Sequence, residues 1–319
     1  MRKIFYLFAI SIAVIYADMS PINIAPDLKN NRFMNIKILD QKQLSFSRID
    51  SVKFSEISDL AYHRKTKRLY LLSDEGRLFA FKVDFRQKIE YAHPIFAVNL
   101  RKKNAKRFKK WRRDSEGMTL DGEGRLLISF EEKAKIAWFH KNSSKRGQMI
   151  YKYRLPRELR SIKGYRSKNK SLESLAWHPK YGILTASEWP LKKYNKKKQT
   201  VYSLGGKKWH FKAEPEAKSA ISSIEVMDDG NLLVLERSFS GILSPFVITL
   251  KKVYIEKCIL NICESKVLAK MNSTKGWAVD NFEGLAKVGK NRFVMISDDN
   301  DNFFQKTLMI YFEILDDDV

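Results

Sequence analysis

Short apolar runs recur along the whole chain, each broken after a few positions by polar turn residues. One pattern returns five times at spacings of roughly fifty to sixty residues, beginning Ser58-Asp-Leu-Ala-Tyr, Glu116-Gly-Met-Thr-Leu, Glu173-Ser-Leu-Ala-Trp, Ser222-Ser-Ile-Glu-Val and Glu283-Gly-Leu-Ala-Lys. After a polar turn each copy has a second apolar run: residues 69–74, 126–131, 183–188, 232–236 and 293–298. Turns such as Asp121-Gly122-Glu123-Gly124 tolerate positive φ, and the flanks are β-branched, aromatic or leucine-rich, so each copy predicts a hairpin. Alternating segments follow at 78–83, 136–139, 246–250 and 307–314, giving about four strands per repeat with no long helical pattern between them. The expected fold is therefore all-β, a single β-propeller of five blades, or six. The N-terminal segment Met34–Leu39 is expected to close the ring beside Thr307–Ile314. A β-sandwich, the competing architecture, gives no reason for a near-constant period.

Within the hairpins the acidic positions keep one offset: Glu116 to Glu131, Glu173 to Glu188 and Glu283 to Asp298 are each fifteen residues apart. The start of one strand and the end of its antiparallel partner lie side by side. Around a common axis, six carboxylates would then face one end of the central channel. The first repeat adds Asp74 and Glu75, and the fourth adds Glu236 and Arg237. Crowded carboxylates must be neutralised by protons, by basic side chains or by a metal. Oxygen ligands without a histidine or cysteine cluster point to a hard cation, calcium before magnesium. The predicted metal ligands are Glu116, Glu173, Glu283 and Asp298, with oxygens from the loop 297–302 beside them. Glu131 and Glu188 are candidates to orient a water, and Arg237 to neutralise developing charge. The alternative is that these acids hydrogen-bond backbone amides and knit blade to blade. His63 and His178 are expected in hairpin turns away from the acidic edge, and Trp189 is the tryptophan singled out for ligand contact.

Composition narrows the setting. The chain has 319 residues, a formal charge of +24, 44% hydrophobic and 12% aromatic residues, which argues for a folded protein. Arg2 and Lys3, an apolar stretch to Tyr16 and Ala17 before Asp18 form a signal-peptide layout with cleavage expected after Ala17. Residues 18–319 are then one domain, periplasmic or secreted, expected to be monomeric. An uncleaved anchor is the alternative. Export makes a Cys258–Cys263 bridge permissible, two free thiols being the other outcome. Nine of the thirteen residues from Arg101 to Arg113 are basic, and Lys192, Lys193, Lys196, Lys197 and Lys198 form a second group. In an exported protein nucleic acid is not the expected partner; these runs are solvated loops or attract an anionic substrate, lipid or envelope polymer. No Gly-x-Ser-x-Gly elbow, phosphate-cradling Gly-x-x-x-x-Gly-Lys loop or His-Glu-x-x-His helix is present.

Asp114-Ser-Glu116-Gly-Met, Leu233-Val-Leu-Glu236-Arg237-Ser-Phe, Asn281-Phe-Glu283-Gly-Leu and Ile296-Ser297-Asp298-Asp-Asn300-Asp-Asn-Phe303, followed by Gln305-Lys-Thr307, together resemble the family called esterase-like activity of phytase, or phytase-like domain. The likeness runs from about residue 45 to 315. It implies an exported bacterial β-propeller, and the family name implies hydrolysis of an ester, a phosphate ester among them. This chain departs from the family's Ser-Asp-Asn-Asn at Asp299, and its first repeat has Ser58-Asp59 where a Glu-Gly pair would stand. Two functions follow. One is metal-assisted hydrolysis of a phosphate or carboxylic ester at the acidic mouth, on a small-molecule or polyanionic substrate. The other is a non-catalytic propeller that binds an anionic envelope component.

Overall fold

The computed structural model describes residues 18–315 apart from 217, 240, 242 and 243. The predicted signal segment, residues 1–17, lies outside the described residues. Five four-stranded antiparallel blades stand in a ring. Blade 1 is built from Ile57–His63, Arg68–Ser73, Arg77–Phe85 and Ile89–Asn99. Blade 2 has Ser115–Leu120, Leu126–Phe130, Lys135–Phe139 and Met149–Lys152. Blade 3 has Leu172–His178, Gly182–Ser187, Lys198–Ser203 and Lys208–Lys212. Blade 4 has Ala220–Val226, Leu232–Ser238, Val247–Val253 and Ser265–Asn272. Blade 5 has Asn281–Gly289, Arg292–Asp298 and Thr307–Ile314, its fourth strand is the N-terminal Ile36–Leu44, and the short Met19–Pro21 pairs outside that. That strand pairs with Thr307–Ile314 from Thr307↔Leu44 to Ile314↔Ile36, so the ring closes as the pattern predicts, with five blades and not six.

Each blade is covered on both faces, one by each neighbour, so the second strands read as continuous apolar runs. In Leu126–Phe130 every residue is buried. The apolar clusters between blades mix neighbouring repeats, as where Leu71 and Phe79 of blade 1 pack with Val294 and Ile296 of blade 5. The loop between the last two strands of blade 4 carries a Cys258–Cys263 disulfide. His63 and His178 end the inner strands of blades 1 and 3, where their Nδ1 atoms accept from Thr66 N and Lys180 N, turn roles as expected.

The inner strands share one irregularity. In every blade the hairpin register slips at the first residue of the repeat, giving a β-bulge at Ser58, Glu116, Glu173, Ser222 and Glu283. A bulge inserts an extra residue and re-aims its side chain. The inner strands also approach one another too closely for a side chain at two neighbouring positions. A Cβ on Gly117 would lie 2.5 Å from Ser129 Oγ and 2.7 Å from Leu175 N, and one on Gly284 would lie 2.9 Å from Asp59 Cα. This is why Glu-Gly, not Glu alone, marks those repeats.

Asp59 takes the place of that glycine in blade 1 and joins blades at the axis. Its Oδ2 accepts from Met118 N of blade 2 at 2.6 Å, and its Oδ1 accepts from Leu285 N of blade 5 at 3.3 Å. It is fully buried, and burial holds its pKa well above the usual carboxylate range.

Candidate functional site

The bulge residues and the residues that close the second strands form two tiers at one mouth of the ring. Register fixes the second tier: the partner of the residue before each bulge is Ser73, Phe130, Ser187, Glu236 and Ser297, and the next residue is Asp74, Glu131, Glu188, Arg237 and Asp298. In blades 1 to 3 that residue's N–H donates to the carbonyl two positions before the bulge: Asp74 to Glu56 at 3.1 Å, Glu131 to Asp114 at 2.9 Å and Glu188 to Ser171 at 3.1 Å. The repeated backbone bond makes the mouth a consequence of the repeat.

One ligand oxygen from each of Asp114, Glu116 and Glu131 comes within 4.8 Å of the others, and the same holds for Glu131, Glu173 and Glu188. Glu131 belongs to both groups. Its Oε1 accepts from Ser171 N at 2.9 Å, and burial, with the nearby Glu188 carboxylate, pushes its pKa up to about 8. Burial, reinforced for Glu116 by Glu173 and for Glu173 by Glu188, holds both well above the carboxylate range. Asp74 is pushed up to about 8 by burial and Glu56, and its buried Oδ1 has no hydrogen-bond partner among the described residues. Asp298 is pushed up to about 9 by burial and Glu283.

Two cations answer these acids. Lys170 Nζ lies 2.6 Å from Glu188 Oε2. Arg237 occupies the acidic tier in blade 4; Nη1 donates to Glu283 Oε1 at 2.7 Å and to Asn281 Oδ1, and Nη2 donates to Glu188 Oε1 at 3.4 Å. Burial disfavours its charge, but Glu283, Glu188 and Glu173 outweigh that and raise its pKa.

All seven predicted site residues stand at this mouth, in two sets. Glu116 and Glu173 join the carboxylate groups together with Glu131 and Glu188. Glu283 is held by Arg237 and Asn281, while Asp298 accepts from Asn300 N at 2.8 Å and Asn281 Nδ2 at 3.4 Å, so these two predicted ligands stand outside both groups. Glu236 does not join the ring as expected. It accepts from Lys251 Nζ, Glu214 N and Ser219 Oγ at 2.8 to 2.9 Å, because the residue pairing across the hairpin lies one position before the mouth. The loop after Asp298 spends oxygens on itself and on blade 1, with Asp299 Oδ1 accepting from Glu56 N at 2.8 Å. Sequence reading missed Asp114, Asn281 and Lys170. The first two stand two residues before the bulge glutamates, an offset visible in the repeat; Lys170 sits in a loop with no such signal.

Three cavities open around the mouth. One of about 600 Å³ has Arg237 and Asn281 on its wall, with Phe239, Phe246 and Phe304. A second of about 400 Å³ is lined by Asp74, Asp114 and Arg113. A third of about 230 Å³ is bordered by Trp189, Arg166, Glu214 and Ser219.

Fold and mouth together define a five-bladed propeller with a buried carboxylate ring. The profile of the phytase-like family, described as esterase-like activity of phytase, matches residues 52–301, and the chain belongs to that family. No curated protein matches. Among solved structures the chain is similar to a protein of unknown function from Bacteroides caccae, with 11% identity, TM-score 0.41 and coverage of 76% of this chain and 70% of that one. It is also similar to virginiamycin B lyase from Staphylococcus aureus, with 9% identity, TM-score 0.41 and coverage of 93% and 99%. A luciferin-regenerating enzyme gives 9% identity, TM-score 0.42 and coverage of 82% and 92%. Likenesses this distant have no bearing on what the chain does.

Proposed function

We propose that the acidic mouth holds a divalent cation, calcium by its all-oxygen donors, and hydrolyses an ester that enters beside Arg237. The observation that carries this reading is the pair of three-carboxylate groups sharing Glu131. Buried carboxylates with raised pKa values and an unpartnered oxygen on Asp74 are what a cation site looks like before the ion's charge is counted. Asp114, Glu116, Glu131, Glu173 and Glu188 would hold the ion, which when bound supplies positive charge and polarises an ester oxygen.

The chain's own groups do the rest. Arg237, fixed between Glu188 and Glu283, presents its guanidinium to the 600 Å³ cavity and pairs with the anionic oxygen that develops on the substrate. Asn281 keeps Glu283 against Arg237 by donating to Glu283 Oε1 at 2.9 Å. Glu188 is pinned by both Lys170 and Arg237, so both of its oxygens are engaged. Glu131 is better placed to orient the attacking water, whose proton passes to solvent. The water oxygen bonds to phosphorus or to the acyl carbon, the ester bond breaks, and its electron pair leaves with the alkoxide, which is protonated by solvent. Family membership supports ester chemistry, and a phosphate ester suits a chain of charge +24. An exported location suits the calcium assignment, since extracellular calcium sites work at high ion levels.

The test is a hydrolysis screen on phosphomonoesters and acyl esters, with calcium or with chelator, on wild type and Glu116→Gln. Calcium-dependent turnover lost in the variant supports the reading. Absence of turnover, with thermal stability unchanged by chelator, returns the mouth to a salt-bridged ring in a binding propeller.

A further inference from the structure

The basic run from Arg101 to Arg113 folds over the outer half of blade 2 and, with that blade's third and fourth strands, encloses a cavity of about 380 Å³. Lys102, Lys103, Arg112, Lys133, Lys135 and Lys152 line it, and no carboxylate does. Elsewhere on the molecule some lysines are matched with acids, as Lys170 is with Glu188, Lys252 with Asp229 and Lys287 with Asp228. Lys102, Lys103, Lys133 and Lys152 form no ion pair with a carboxylate among the described residues. Unmatched like charges around a concavity repel one another, and the fold tolerates them here only because most keep contact with water.

Lys135 is the exception. It is 7% exposed, its Nζ donates to Arg112 O at 3.0 Å, and it lies 3.4 Å from the centre of the Phe130 ring and 4.9 Å from that of Phe108. An aromatic wall and a carbonyl fix one ammonium at the back of the cavity while flexible lysines ring its opening. A phosphoryl group needs this arrangement: point-charge donors from several directions and a floor that does not compete. The volume exceeds that of a single phosphate several-fold, so the cavity has room for a ligand carrying more than one.

We propose that this pocket binds a ligand bearing several phosphoryl groups, independently of the acidic mouth and of any hydrolysis there. Such groups occur on soluble oligophosphates and on anionic lipid headgroups, and the experiment separates these sources. The full chain is titrated calorimetrically with inorganic tripolyphosphate and, in parallel, sedimented with phosphatidylcholine vesicles with and without phosphatidylglycerol. Wild type, Lys133→Ala/Lys152→Ala, Lys135→Met and Lys196→Ala/Lys197→Ala are compared, the last changing charge equally at the other basic group. Lys133 and Lys152 are exposed, so their variant folds.

Saturable tripolyphosphate binding that weakens about tenfold or more in Lys133→Ala/Lys152→Ala and in Lys135→Met, and is unchanged in Lys196→Ala/Lys197→Ala, supports the pocket. Vesicle binding with the same variant pattern assigns the phosphoryl groups to lipid, and its absence assigns them to a soluble ligand. Equal weakening in both double variants overturns the proposal in favour of diffuse charge attraction, as does no saturable binding to either probe.

Discussion

Arg237 of blade 4 donates from Nη1 to Oε1 of Glu283 of blade 5 at 2.7 Å, a bond made from the ring position that is Asp74, Glu131, Glu188 and Asp298 in the other blades. A cation has replaced an acid at one of five equivalent places, so the ring is asymmetric. One side is crowded with carboxylates and the other is closed by a guanidinium. In the proposed reading that asymmetry gives the mouth a side for a cation and a side for a substrate anion.

Arg237→Met leaves Glu188 with Lys170 alone and Glu283 with Asn281 alone. Removing one partner of a largely buried pair leaves charge uncompensated, and about 2–4 kcal/mol of stability is expected to go. Urea unfolding measures it, and adding Glu283→Gln should recover part of the loss. A loss below ~0.5 kcal/mol would show that solvent already screens this pair.

Asp59 accepts backbone N–H bonds from two other blades, one on each carboxyl oxygen, and burial raises its pKa. Asp59→Ala strips buried donors of their partner at a cost of about 1–3 kcal/mol for each group left unpaired. Asp59→Asn, which has the same shape and keeps one acceptor oxygen, should cost much less. Comparable urea midpoints for the two variants would contradict this account of the axis.

Gly117→Ala and Gly284→Ala place a methyl group where backbone atoms of an adjacent blade already stand. Overpacking of about 1–3 kcal/mol or more is expected for each, as a lower thermal midpoint, because backbone of the adjacent blade must move as well as side-chain tips. Gly205→Ala, whose Cβ would meet only Ser203 Oγ at 3.5 Å, is the control expected to change little.

Lys135 is pushed down to about 7 by burial and by Lys152 and Lys133, with Arg112 adding to them and Asp114 opposing. Its folded pKa lies below that of the unfolded chain, near 10.4, so between these values the unfolded state holds more protons and this group's contribution to stability rises with pH. Lys135→Met should be more stable than wild type at pH 7. The gap should narrow towards pH 10 with a slope of up to about 1.4 kcal/mol per pH unit. A gap that stays constant in urea unfolding at pH 7, 8.5 and 10 would show that Lys135 is not desolvated.

The period, the hairpins and the closing strand were all legible in the sequence because each blade repeats one pattern of apolar runs and turns. The acidic mouth was legible for the same reason: Glu116, Glu173 and Glu283 hold equivalent places, and a fixed offset leads to their partners. At blade 4 the sequence places both Glu236 and Arg237 at the mouth, but neighbours along a strand point in opposite directions, and the register at the Ser222 bulge leaves only Arg237 facing it. Asp59 was legible as a departure from Glu-Gly but not as a link between blades, since its partners are backbone groups 59 and 226 residues away. Lys170 and the basic pocket depend on loop conformation, which no periodicity encodes.

The cation at Glu131 is the claim on which the proposed chemistry stands, and calcium titration calorimetry on wild type and Glu131→Gln tests it most directly. Saturable binding to wild type, weakened at least about tenfold in the variant, is the predicted result for a carboxylate shared by both ligand groups. No heat of binding, or equal affinity in the two proteins, would contradict it.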